Sequence, residues 1–280
     1  MHDCVCGSKF APFIQWPGGK TRMLKRIVER LPKSYKRYYE PFIGGGAVLL
    51  CLTPDDAVIG DANSFLLNLW NRVANDVDSV IYESKKLDRL PYTRETFSKI
   101  RDMFNVTLSA KEYTAFSAAL FLWMTKRSYG GVMRFNKSGK CNSTFRLVAN
   151  SLLNESNLRR ISDYLRNHVV ISAPGDFSQT CYDVGKDDFV FLDPPYTECS
   201  HNYNGERWHE DDHERLASFC RDLDKKGAYF MTTYNDSSFL RDLYRGFYVD
   251  DVSSQWSITG NKRISELIIT NYEPKTFRLF

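Results

Sequence analysis

The amino-acid sequence predicts an α/β fold: a largely parallel sheet interrupted by a helical insert that carries a β-hairpin. Three observations lead there. Residues 37–43 (RYYEPFI) read as a short strand, Gly44-Gly45-Gly46 breaks it, residues 47–52 form an apolar helical run, and residues 57–61 (AVIGD) form a second short strand. Strand, glycine turn, helix and strand at this spacing begin a parallel sheet. From about residue 65 to residue 125 the rhythm changes to long helical stretches, among them residues 92–104 and 113–125. Two β-prone runs, residues 132–136 and 141–145, then flank the turn Lys137-Ser138-Gly139-Lys140 and predict a hairpin. Beyond residue 155 the α/β rhythm returns. Residues 169–172, 189–192, 228–233 and 267–270 are continuous apolar runs, as in strands buried on both faces, and residues 213–226 are helical. The sequence therefore divides into an α/β unit, residues 1–64 with 156–280, and an insert, residues 65–155.

Composition narrows the function classes. The chain has 280 residues, 42% hydrophobic and 26% charged, which excludes disordered and fibrous classes and leaves enough apolar residues for a sizeable core. Its uncharged stretches, residues 41–54 and 113–125, are shorter than the roughly 18 apolar residues of a membrane span, and no signal peptide is expected. Seven cysteines, an odd number in a chain too large to need stapling, point to free thiols in a reducing cytosol. The net charge is only +4, but its distribution is uneven. Residues 126–146 carry six basic residues and no acidic one, and residues 9–37 carry nine against Glu29 alone. Such a local excess attracts polyanions, nucleic acid above all.

Two motifs carry chemistry. Glu40-Pro41-Phe42-Ile43-Gly44-Gly45-Gly46 places glycines where a strand turns into a helix, a site suited to a nucleoside-containing ligand. Asp61, 15 residues after Gly46 at the end of the next strand, is placed to accept hydrogen bonds from ribose hydroxyls. The full Gly-x-Gly-x-x-Gly pattern is absent, because Leu49 stands at its last position. Asp193-Pro194-Pro195-Tyr196 directly follows the apolar run 189–192 and so lies at the carboxyl end of a strand, where α/β proteins place ligands. Its two prolines stiffen the loop and remove two N–H donors, leaving a carboxylate, carbonyl oxygens and an aromatic ring. That set fits a planar heterocycle with an exocyclic amine: Asp193 and the Pro194 carbonyl each accept one N–H while Tyr196 stacks on the ring. Drawing on both hydrogens makes a delocalised amine more tetrahedral and more nucleophilic.

These motifs resemble those of the adenine-amino methyltransferases that use S-adenosylmethionine. Residues 13–20 (FIQWPGGK) are similar to the extra cofactor motif of the Dam-type DNA adenine methyltransferases, and the motif order is that of the alpha group. The resemblance runs from about Phe13 to Tyr272. It implies a Rossmann-like methyltransferase sheet with a target-recognition insert, S-adenosylmethionine as cofactor and double-stranded DNA as partner, in a bacterial or phage-infected cytoplasm. It implies that Trp16, Gly18, Lys20, Phe42, Gly44, Asp61, Asp176, Phe177 and Asp193 line the cofactor site. Asp193, Pro194 and Tyr196 would hold a flipped adenine. Residues 129–136 (YGGVMRFN) resemble the Dam hairpin that reads GATC, with Tyr129 as wedge and Arg134 reading a guanine. Lys126, Arg127, Asn136 and Lys137 complete the expected DNA contacts. Gly130 and residues 143–145 (STF) depart from the family pattern. Another DNA sequence, an RNA substrate or an inactive nucleic-acid-binding fold are the alternatives. Two decoys carry less. Gly18-Gly19-Lys20-Thr21 ends like a phosphate loop but has Ile14 where the first glycine belongs. His209-Glu210-Asp211-Asp212-His213 matches a zinc-hydrolase signature, but its charged surroundings suit a polar helix start, so no metal is expected.

Overall fold

The computed structural model describes residues 9–147, 151–196, 208–254 and 264–274. Among these, seven strands form one sheet: β1 (Tyr38–Glu40), β2 (Ala57–Ile59), β3 (Val169–Ile171), β4 (Phe189–Leu192), β5 (Tyr229–Asn235), β6 (Tyr248–Ser254) and β7 (Ile264–Thr270). The order across the sheet is β3-β2-β1-β4-β5-β7-β6, with β7 antiparallel to both neighbours and the rest parallel. Every side chain of β1, β2 and β4 is buried, which is why β2 and β4 read as apolar runs; β3, also read as a buried run, lies at the sheet edge with Val170 exposed. β6, unlike the others, is not legible as such a run. It lies at the edge of the sheet, pairs among the described residues with β7 alone, and carries Asp250 and Asp251. An edge strand tolerates charge that a central one does not.

Ten α-helices accompany the described sheet. They are α1 (Leu24–Val28), α2 (Ala47–Leu52), α3 (Ser64–Asn75), α4 (Val77–Asp88), α5 (Arg94–Ala110), α6 (Ala115–Arg127), α7 (Glu155–His168), α8 (Phe177–Thr180), α9 (Glu210–Lys225) and α10 (Ser238–Leu243). Helices α3 to α6 lie between β2 and β3 along the chain, in the stretch expected to be the insert. Ten of the 13 residues of α6 are buried, so it forms the insert's central helix, apolar on all sides rather than amphipathic. Its start is fixed by a reciprocal cap, in which Thr114 Oγ1 accepts from Ser117 N and Ser117 Oγ accepts from Thr114 N. One hydrophobic cluster runs from the sheet through α2, α3 and α7 into α4, α5 and α6, and a second fills the other face of the sheet with α8, α9 and α10. No helix among the described residues is long and apolar enough to cross a membrane.

The expected hairpin is present in a loose form. Asn136 N donates to Lys140 O and Asn142 N to Arg134 O, with antiparallel bridges between Ser128 and Phe145 and between Phe135 and Cys141. Helix α5 anchors it, because Asn105 accepts from Cys141 N at 2.7 Å and donates to Cys141 O at 3.0 Å, completing both backbone bonds as a partner strand would.

Candidate active site

Strands β1 and β4 are adjacent, and from them the chain order runs outward in opposite directions, so their carboxyl ends flank the crevice where open α/β sheets bind ligands. Three acidic side chains stand there because each follows or ends a strand: Glu40 closes β1, Asp61 follows β2 and Asp193 follows β4. The crevice is a cavity of about 460 Å³. Of the residues expected at the site, Trp16, Gly18, Lys20, Phe42, Gly44, Asp61, Asp176, Asp193, Pro194 and Tyr196 line it. Phe177 is buried behind the wall, with its ring 5.8 Å from that of Phe42.

The glycine turn makes room for two tryptophans. Gly44 has φ +44°, and a Cβ there would lie 2.7 Å from Cδ1 of Trp16. Gly46 has φ +64°, and a Cβ there would lie 2.4 Å from Cη2 of Trp70. Only glycine satisfies both the left-handed backbone and the contact. Trp70 Nε1 donates to Gly44 O at 3.1 Å and pins the turn from below, so Trp16 becomes a wall of the cavity. The side chain of Asp61 is held by its own neighbourhood: Oδ2 accepts from Gly44 N and Oδ1 from Asn63 N. Asn63 in turn caps α3. Burial raises the Asp61 carboxyl to about 6, although backbone donors at Asn63, Gly44 and Ala62 oppose this.

Lys20 and Asp193 form the charged centre. Lys20 Nζ lies 2.7 Å from Asp193 Oδ1, donates to Gly18 O at 2.9 Å, and sits 5.0 Å from the centroid of the Tyr196 ring. Burial opposes the ammonium, but Asp193 and Tyr196 together hold its pKa above the ordinary value, so it is charged. Thr233 Oγ1 also donates to Asp193 Oδ1, at 2.8 Å. Both contacts fall on one carboxylate oxygen, leaving Oδ2 of Asp193 without a partner among the described residues.

Several contributors were not legible in the sequence. Glu40 is 3% exposed, lines the cavity, and accepts at Oε2 from Tyr38 OH and Leu49 N. Burial raises its carboxyl to about 8, against the two hydrogen bonds, so it is largely protonated at neutral pH. Its only sequence signal was its place as first residue of the glycine motif. Trp208 and Asp212 also line the cavity, and Thr233 comes from β5; no local pattern marks these three.

The basic side chains of the insert separate into two groups. Tyr129 is 66% exposed, and Arg134 and Lys137 are exposed on the hairpin. Lys126 and Arg127, expected as DNA contacts, turn inward instead. Arg127 is 4% exposed, pairs with Asp88 at 3.0 Å and lies 4.3 Å from the centroid of the Tyr92 ring. Lys126 donates to the carbonyl of Leu152. Helix α6 is buried all round, so its last turn has to satisfy these charges internally. Asn136 acts on its own turn, where Oδ1 accepts from Ser138 N, Ser138 Oγ and Lys140 N. Asp176 likewise spends its carboxylate on Ser178, which it caps, and on Arg215 at 2.8 Å; burial opposes these bonds, but they hold it below the usual carboxylate range. Of the zinc-like pair, His209 is exposed just before α9 and His213 is fully buried, so the two do not face one space. The sequence also holds Cys4-x-Cys6, a two-ligand fragment without a matching Cys-x-x-Cys pair, and it lies outside the described residues.

A family model described as D12 class N6 adenine-specific DNA methyltransferase matches residues 16–258. The chain belongs to this family. Among curated relatives, the D12 methyltransferase is 36% identical over 289 residues to the Type II methyltransferase M.MjaIII of Methanocaldococcus jannaschii, covering 93% of this chain and 99% of that protein. It is 28% identical to the Type II methyltransferase M1.LlaDCHI of Lactococcus lactis, over 93% of this chain and 95% of that one. It is 27% identical to the DNA adenine methylase of Haemophilus influenzae, over 93% of each chain. This D12 methyltransferase is thus an adenine-specific DNA methyltransferase that uses S-adenosylmethionine. The cavity fits that cofactor. Its volume is in the range of small-molecule sites, its carboxylates at Asp61 and Asp193 match a ligand with a sulfonium and ribose hydroxyls, and its rings match an adenine.

Proposed function

We propose that this methyltransferase acts on adenine within GATC in duplex DNA, and that the target base leaves the stack to reach the cavity. The observation that carries the chemical part is that Asp193, Pro194 and Tyr196 line the same cavity as the glycine turn and Asp61, so the acceptors for the amine and the cofactor cradle share one space. Bound S-adenosylmethionine supplies an electrophilic methyl group on its sulfonium. Trp16, Gly18, Phe42, Gly44 and Asp61 hold it, with Asp61 accepting from the ribose and Asp176 and Phe177 shaping the adenine end. Lys20 and Thr233 occupy Oδ1 of Asp193 and fix the carboxylate, so that Oδ2 accepts one N6–H while the Pro194 carbonyl accepts the other. Tyr196 offers its ring as a stacking face. The amine's proton leaves to water, and no side chain needs to take it.

Residues 1–64 and 156–280 act as the catalytic unit, and residues 65–155 as the recognition unit. Tyr129 serves as the wedge that takes the place of the flipped base, Arg134 reads a guanine edge with paired donors, and Lys137 contacts phosphate. Their exposure on one anchored hairpin supports this reading. The test is transfer of labelled methyl to two unmethylated duplexes, one with GATC and one with that site scrambled. Label on adenine of the GATC duplex alone is expected. Equal label on both removes the GATC assignment, and label on neither, with cofactor bound, removes the duplex assignment. Asp193→Ala is expected to reduce turnover at least 100-fold with cofactor affinity changed far less, as for a group that acts in the transition state. Near-normal turnover overturns its role.

A further inference from the structure

We propose that His213 is a positioning residue for the cofactor cavity, its Nδ1 accepting the indole N–H of Trp208 and so fixing the ring that walls the cavity beside Phe42. Trp208 Nε1 lies 3.1 Å from His213 Nδ1. The geometry has a local origin. Trp208 immediately precedes His209, the residue before α9, and His213 is the fourth residue of that helix, so the two occupy the positions that staple a chain onto a helix start. Asp212 Oδ2 closes the same turn by accepting from His209 N at 2.9 Å. An ordinary staple is made of two apolar side chains; here an indole meets a fully buried imidazole.

The bond settles the tautomer. An indole nitrogen is a donor only, so Nδ1 of His213 is the acceptor and the proton sits on Nε2. Tyr234 OH lies 3.3 Å from the same Nδ1, and Tyr244 OH lies 3.4 Å from Tyr234 OH, which extends the contact into the core between α9, β5 and α10. Nε2 is buried with no partner among the described residues. Nδ1 thus meets two polar groups, the indole N–H of Trp208 and the hydroxyl of Tyr234, an arrangement a purely apolar packing role would not select. Burial lowers this imidazole to about 4, so it remains neutral and able to accept.

The consequence reaches the cavity. Trp208 lines it, meets Phe42 edge-on at 5.6 Å between centroids, and stands 6.3 Å from Phe177. Without the bond the indole keeps its contacts but loses its fixed rotation, and the aromatic wall loses its shape. The inference rests on the assignment of this cavity to S-adenosylmethionine, and its test separates the two.

The protein, with ¹⁵N-labelled indoles, is compared as wild type, Trp208→Phe, His213→Leu, His213→Gln and the Trp208→Phe/His213→Leu double variant. The Trp208 indole resonance is assigned by its loss in Trp208→Phe, and in His213→Leu it is expected to shift and to exchange faster with solvent. Cofactor Kd, measured by calorimetry, is expected to rise about 5–10-fold in Trp208→Phe and in His213→Leu, the range for a lost buried hydrogen bond. The double variant is expected to be no worse than either single one. His213→Gln, whose amide oxygen can accept the indole N–H, is expected to stay within about twofold of wild type, on the same scale. If His213→Leu fails to fold, Trp208→Phe against His213→Gln decides. Additive losses, or an indole signal indifferent to His213, overturn the inference. Asp61→Ala is the control: if it too leaves cofactor affinity unchanged, the assignment of the cavity fails rather than the role of His213.

Discussion

Glu40 ties the pH dependence of stability to one side chain. Its carboxyl is 3% exposed at the end of β1, with Oε2 accepting from Tyr38 OH and Leu49 N. Burial raises its pKa from 4.5 to about 8. The unfolded chain releases this proton near 4.5 and the folded state near 8, so the folded state binds the extra proton between those values. Stability is then fully present below about pH 4.5 and falls as pH rises through about 8. The slope in mid-window is about 1.4 kcal/mol per pH unit, and the whole window amounts to about 5 kcal/mol as an upper value. A chain of 280 residues unfolds with an entropy of about 0.6 kcal/mol/K near its midpoint, so the slope corresponds to about 2 °C in Tm per pH unit. Glu40→Gln keeps an acceptor for both donors and cannot ionise. Melting curves of wild type and Glu40→Gln from pH 5.5 to 8.5 are therefore expected to diverge, with the variant flatter and more stable at the alkaline end. Asp61, raised to about 6, adds a slope of the same sign at lower pH, but it does so in both proteins and cancels in the difference. Parallel curves would refute the argument that Glu40 is held protonated.

Arg127→Met leaves Asp88 half-paired in a site where the two side chains are 5% and 23% exposed. It is expected to cost about 2–3 kcal/mol, or about 3–5 °C in Tm, without altering the choice of DNA sequence. Gly46→Ala pushes a Cβ to 2.4 Å from the Trp70 ring at φ +64°, so a loss of about 2–4 kcal/mol and weaker cofactor binding are expected by chemical denaturation and calorimetry. Arg134→Ala is expected to relax discrimination at one base pair by about 1–3 kcal/mol in a panel of singly substituted duplexes. A uniform loss on every duplex would make Arg134 a phosphate contact instead.

What the sequence alone determined is whatever is local or periodic. β2 and β4 are buried on both faces and so appear as apolar runs, and the carboxylates that follow them, Asp61 and Asp193, fall at the active end of a parallel sheet by the direction of the chain. The glycine turn can adopt its left-handed backbone, and the Asp193 to Tyr196 loop is stiff, for reasons written in their own residues. Partnership across the fold was decided only by tertiary structure. Arg127 looks like a DNA contact until α6 turns it onto Asp88, and Glu40 looks like a charged residue until Tyr38 and Leu49 enclose it. β6 hides its identity because an edge strand needs no apolar run. Trp208 and His213 meet locally at the start of α9, but that the indole walls the cavity depends on where α9 docks against β5. Burial and charge pairing are properties of the neighbours a fold brings together, so no reading of residues in order can supply them.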